Sequence, residues 1–118
     1  MDTIRIQGIQ VEAVMGVYEW ERTCAQPLKI DLILFVDVRK AADSDHLNDT
    51  VDYGAVVTWI REDINQHAFQ LLEALAEHIA TQLLLLFSIK KIEVTVHKLG
   101  ILDKVDNVAV QVTRHRES

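Results

Sequence analysis

Along residues 92–98 the side chains alternate. Ile92, Val94 and Val96 share one phase, and Glu93, Thr95 and His97 share the other. That alternation predicts a half-buried strand. Lys98 falls on the apolar phase and puts an ammonium group where another core residue is expected. A second alternating run, Leu28 to Val38, has Leu28, Ile30, Leu32, Leu34, Val36 and Val38 on one face. Pro27 opens it, and Ile33 and Phe35 add apolar surface to its polar face, either for a subunit contact or a doubly covered sheet or as a scattered exposed pair. Near the N-terminus Ile4 and Ile6 share one phase and Ile9, Val11 and Ala13 the other. The slip predicts a β-bulge at Gly8. Val108, Val110 and Val112 mark a fourth strand. The short link "LGILDK" makes it an antiparallel partner of the third.

Between the strand pairs the period changes. Residues 41–54 read as a polar loop. Asp52 is placed to cap a helix from about Gly54 to Ala68, with Val56, Val57, Ile60 and Ile64 inward. A helix from about Leu71 to Phe87 carries a stripe through Leu72, Leu75, Ile79, Leu83 and Phe87. No Gly or Pro separates the two, so one long helix also fits the pattern. The order is strand, strand, helix, helix, strand, strand. Elements in runs predict an α+β class in one domain, residues 1–118.

The net charge of −6, from 12 basic and 18 acidic side chains, argues against a nucleic-acid or anionic-membrane partner. Cys24 is the only cysteine, so neither an internal disulfide nor a cysteine-rich zinc site is available. None of the five histidines stands in an H-x-H or HExxH arrangement, and no catalytic metal is expected. The first ten residues lack a signal-peptide layout, and the longest apolar run, Leu83 to Phe87, is far below the ~20 residues of a membrane span. A soluble, cytoplasmic protein is the expectation.

A few residues stand out chemically, each with an ordinary alternative. Lys98 either extends its stem to water or lines a pocket beyond the sheet edge. Glu73, in the first turn of the second helix, either complements the helix dipole or joins the free N–H groups near Leu71 and Leu72. The second arrangement suits a flat heterocycle with both donors and acceptors. Tyr53 and Glu21 read, by default, as a loop aromatic and a solvated charge.

Taken in order, "GVYEWER", "AADSDHLNDTVDYGAVV", "FQLLEALAEHIA" and "VTVHKLG…VDNVAV" resemble the dihydroneopterin aldolase family across nearly the whole chain. The resemblance implies the tunnelling fold: a four-stranded antiparallel sheet with two helices on one face. It implies stacked rings forming an octamer, with active sites between subunits. Glu73 is similar to the family's pterin anchor, and the Leu71 and Leu72 N–H groups to those holding the ring carbonyl. Tyr53, from a neighbouring subunit, resembles the residue that stacks on or shuttles protons to substrate. Lys98 and Glu21 resemble the polar pair around the reacting tail. The implied reaction cleaves dihydroneopterin to hydroxymethyl-dihydropterin and glycolaldehyde without cofactor, metal or Schiff base, because the pterin C=N bond accepts the electrons. One segment departs from the aldolase pattern. Leu99, Gly100 and Ile101 stand where the aldolases have Pro, a variable residue and a small residue. A Lys-Leu pair here resembles the related dihydroneopterin triphosphate epimerase. Epimerisation, and a pterin- or purine-binding ring protein without turnover, remain alternatives.

Overall fold

The computed structural model describes residues 1–16, 18, 25–100 and 102–117. β1 (Asp2–Met15) and β2 (Gln26–Val36) form a long antiparallel pair. The register between them shifts between Ile6 and Ile9, and Gly8 there has φ +70°. Only glycine holds that left-handed angle without a Cβ penalty, so the predicted bulge forms where the apolar phase slips. The Gly8 N–H donates to Asp31 Oδ1 at 2.7 Å, which ties the bulge to β2. Ile9, Val11 and Ala13 beyond it are buried.

Three helices follow. The short α1 (Arg39–Ser44) and a 3-10 turn at Leu47–Asp49 occupy much of the segment expected to be a polar loop. Six residues with no buried side chain leave no apolar period to read. α2 (Tyr53–Ile64) starts as expected, with Asp52 Oδ1 accepting from the Ala55 N–H at 3.1 Å. Val56, Ile60 and Ile64 face the core. α2 ends four residues short of the expected Ala68, because Ala68 and Phe69 form β3 and pair in parallel with Val14 and Met15. That pairing, with the Gly16 N–H donating to Phe69 O at 3.2 Å, separates α2 from α3 (Leu72–Leu86) and removes the single-helix alternative.

α3 buries Leu72, Leu75, Ala76, Ile79, Ala80, Leu83 and Leu84, the predicted stripe without Phe87, which follows the helix half-buried. Arg116 holds the C-terminal end of α3: the guanidinium donates to Leu84 O, and just past the helix to Phe87 O and to Ile89 O at 3.0 Å. β4 (Lys91–Leu99) and β5 (Asn107–His115) close the chain as an antiparallel pair. The sheet order is β3-β1-β2-β4-β5. The expected four strands are therefore joined by a fifth, of two residues, at the edge. Such a strand is too short to carry a period of two. The core fills the space between one sheet face and the helices α2 and α3.

The opposite sheet face carries half-buried Ile33 and Phe35. The Lys91 ammonium sits 4.7 Å from the Phe35 ring centroid, a cation–π contact. No helix among the described residues is long and apolar enough to cross a membrane.

Candidate active site at the Lys98 end of the sheet

Cross-strand register fixes where Lys98 lies. Leu28 pairs with both Val11 and Lys98, and Lys98 pairs with Val108, so these four residues form one row across the sheet. Val11 and Leu28 are buried on the helix-facing side. Lys98 is 8% exposed and is the one buried charged residue among those described. The strand does aim its ammonium along the core face. Desolvating an ammonium is expensive, so the sequence places it there against the burial preference.

β1 runs four residues past that row, to Met15, where β3 joins it. Gln26 Nε2 donates to Met15 O at 3.0 Å and holds the two strands together at this overhang. Two residues after Phe69 the chain reaches Leu71, the extended residue (φ −119°, ψ 144°) preceding α3. α3 then runs back along β4, to which residues 87–90 connect it. Fifteen residues of helix cover about 22 Å, and the nine of β4 cover about 30 Å. Leu71, Leu72 and Glu73 therefore return to the end of the sheet where Lys98 lies.

Leu71 precedes α3 without a side-chain cap. Among the described residues no side chain caps the first N–H groups, and Glu73 stands among them with its carboxylate exposed. The Glu77 carboxylate, one turn on, is instead held by Arg114 Nε of β5 at 2.7 Å. Thus Glu73 and the Leu71–Leu72 backbone, on one side, and Lys98, on the other, come to the same end of one chain.

Tyr53 does not. Residues 48–51 share a surface cleft with Val36, Ser88 and Lys90, at the opposite end of the sheet. Tyr53 follows directly as the first residue of α2 and is 62% exposed. α2 then carries the chain about 18 Å toward β3. Within one subunit Tyr53 is separated from the Lys98 end by the length of that helix. Glu21 lies outside the described residues, as does Ile101.

Leu99 continues the β4–β5 ladder by pairing with Asn107 and is 42% exposed. Gly100 (φ +67°) then turns the chain, and Val105 N–H donates to Leu102 O at 3.2 Å within the hairpin loop. A proline at 99 would remove a backbone donor from the last rung.

The family model described as FolB, dihydroneopterin aldolase, matches residues 4–113. The chain belongs to the dihydroneopterin aldolase family. The dihydroneopterin aldolase of Escherichia coli K12 is 32% identical over 114 residues, covering 97% of this chain and 93% of its own. A FolB crystal structure from Vibrio cholerae superposes with a TM-score of 0.95 at 33% identity, covering 98% of each chain. The E. coli dihydroneopterin aldolase, solved in complex with neopterin, gives 0.93 at 32% identity, covering 97% of this chain and 99% of that one. The α+β architecture expected from the sequence is the family's fold. What sequence reasoning missed at this end is β3: it brings Leu71 to Glu73 to this end of the sheet, but its signal is only two residues long.

Proposed function

We propose that this chain catalyses the retro-aldol cleavage of dihydroneopterin to hydroxymethyl-dihydropterin and glycolaldehyde, in folate biosynthesis. Family membership and the neopterin-bound E. coli relative support the activity and the pterin class of substrate. The observation that carries the site is the buried Lys98 ammonium at the same sheet end as the uncapped start of α3.

In this reading Glu73 accepts N–H bonds from the pterin ring, and the Leu71 and Leu72 N–H groups donate to its carbonyl. Lys98, through water, supplies a proton to the ring nitrogen of the C=N bond. A base takes the proton from the side-chain hydroxyl, the carbon–carbon bond breaks, and its electron pair flows into the protonated C=N. Glycolaldehyde leaves, the resulting enamine is reprotonated at carbon, and the ring nitrogen returns its proton through water to Lys98 to give the product. Ring placement and two proton relays suffice, because the substrate is its own electron sink. No Schiff base forms on Lys98, so borohydride should trap no substrate on the enzyme.

Tyr53 is the proposed hydroxyl partner, arriving from a neighbouring subunit, and Glu21 the partner of Lys98. A ring assembly is supported by unpaired sheet edges. β5 has no second neighbour among the described residues, and β3 covers only Val14 and Met15 of β1. Long open edges invite pairing with another copy. Exposed Leu99, Leu102, Val105 and Val108 add apolar surface beside β5. An octamer of stacked rings in the cytoplasm goes with this reading.

Leu99 favours one second reading, the epimerase, in which the same cleavage is reversed before the aldehyde departs. Product analysis with dihydroneopterin and with its triphosphate separates the two. Glycolaldehyde release from the unphosphorylated compound is expected. Inversion of recovered substrate without release would replace the aldolase by the epimerase, and tight binding with neither would leave a pterin binder. Within the aldolase, Glu73→Ala should weaken pterin binding about 100-fold by stranding ring N–H groups. Lys98→Ala should lower kcat by about 100-fold or more with a small change in KM. Equal effects of both variants on both constants would contradict the division of roles.

A further inference from the structure

Beside β3, three side chains from separate elements converge. Asp63 lies in the last turn of α2, His67 in the link after it, and His78 on α3. His78 Nε2 is 2.7 Å from Asp63 Oδ2, and His67 Nε2 is 3.3 Å from Asp63 Oδ1. One ligand atom from each lies within 4.8 Å of the others. The geometry points to a binding site for one divalent transition cation, zinc foremost, formed by Asp63, His67 and His78.

Donor chemistry favours that class. Two imidazole nitrogens with one carboxylate suit zinc and its first-row neighbours, whereas magnesium and calcium take oxygen ligands. Around a tetrahedral zinc with bonds of about 2.0–2.1 Å, ligand atoms stand about 3.4 Å apart. Both histidine–carboxylate separations lie below that value and none of the ligand atoms is more than 4.8 Å from another, so side-chain rotations admit the ion. Three protein ligands leave a fourth position for water, and His67, 42% exposed, opens the site to solvent.

The imidazoles are held on their other sides. Trp59 stacks on His78 (centroids 6.2 Å apart, interplanar angle 26°), and Phe69 lies 5.5 Å from His78 and 5.8 Å from His67. An apolar backing of this kind limits ligand motion and water access on one side of a metal. Asp63 and His67 stand four residues apart, but His78 joins them only by the packing of α3 beside α2, which explains why sequence spacing gives no sign of the site.

A bound ion would join the end of α2 to α3 across the connection that carries β3 and Leu71. It would thereby brace the segment delivering Glu73, without itself touching substrate.

The test is equilibrium dialysis of tag-free, chelator-treated protein against zinc, with melting followed in parallel. Wild type should retain one zinc per chain and melt at least about 5 °C higher with saturating zinc. His67→Ala, an exposed position, should fold normally, bind zinc at least about 10-fold more weakly and lose the zinc-dependent rise. Asp63→Asn should weaken zinc in the same way, and cobalt should give the wild type, but not these variants, a visible absorption band of tetrahedral type. Failure of wild type to retain zinc, or equal retention by wild type and the His67→Ala, Asp63→Asn double variant, would overturn the assignment. Both readouts are independent of aldolase turnover, so the result does not depend on the proposed reaction.

Discussion

Gly8 and Asp31 show how one residue pair fixes a register. Gly8 holds φ +70° and donates its N–H to Asp31 Oδ1. A Cβ there would meet no atom within 4 Å, so the cost of a side chain is conformational rather than steric. Gly8→Ala should destabilise the protein by about 1–2 kcal/mol, read as a lower urea midpoint at unchanged slope. Asp31 also lies 2.7 Å from His97 Nε2. Burial pushes its carboxyl up, but the Gly8 N–H, His97 and Lys29 together outweigh that and hold it below the ordinary aspartate value. A carboxyl depressed in the folded state adds stability above the unfolded pKa and loses it as pH falls through the folded one. The wild-type melting temperature should therefore fall from about pH 5 downward, through the ordinary value near ~3.9. Asp31→Asn should flatten part of that fall, and parallel curves for the two proteins would refute the assignment. At this scale Lys98 was legible, because its inward phase follows from the alternation Ile92, Val94, Val96. The direction of the Asp31 side chain was not, because the pairing of β1 with β2 brings Gly8 to it from 23 residues away.

Among the elements, legibility tracks the length of the apolar period. β2 and α3 repeat their period five times or more, and the structure buries those positions except Val38 and Phe87, which fall just past the element ends and are half-buried. β3 and α1 have too few residues to show a period. The break between α2 and α3 was not legible, since it carries no Gly or Pro and depends on Ala68 and Phe69 pairing with β1. Val108, Val110 and Val112 do take one face of β5, but Val108 is 36% exposed at the sheet edge. Alternation reports the phase of a strand, not its place in the sheet. α3 is the element whose packing matters most for the proposed site, because its first turn carries Glu73. Leu83, fully buried on its core face, is the place to probe that packing. Leu83→Ala should cost about 3 kcal/mol, measured by urea unfolding at fixed protein concentration. A cost below about 1 kcal/mol would mean that α3 is poorly anchored to the sheet.

The whole molecule measures 51 × 29 × 25 Å, with a radius of gyration of 15.4 Å. A compact chain of this length would have about 13.5 Å. The excess comes from a long β1–β2 pair that overhangs β4 and β5. Elongation separates Tyr53 from Glu73 and Lys98 by the length of α2, so a site using all three must combine two subunits. The family resemblance was legible from the ordered motifs, but the end-to-end separation appears only once the strands are in register. The decisive measurement is subunit complementation. Lys98→Ala and Tyr53→Ala proteins, each nearly inactive, are unfolded, mixed in equal amounts and reassembled, and glycolaldehyde release is followed. If each site takes Lys98 from one subunit and Tyr53 from its neighbour, random mixing restores intact sites to about a quarter of the total. Activity in the mixture no higher than the sum of the two variants alone would contradict the shared site.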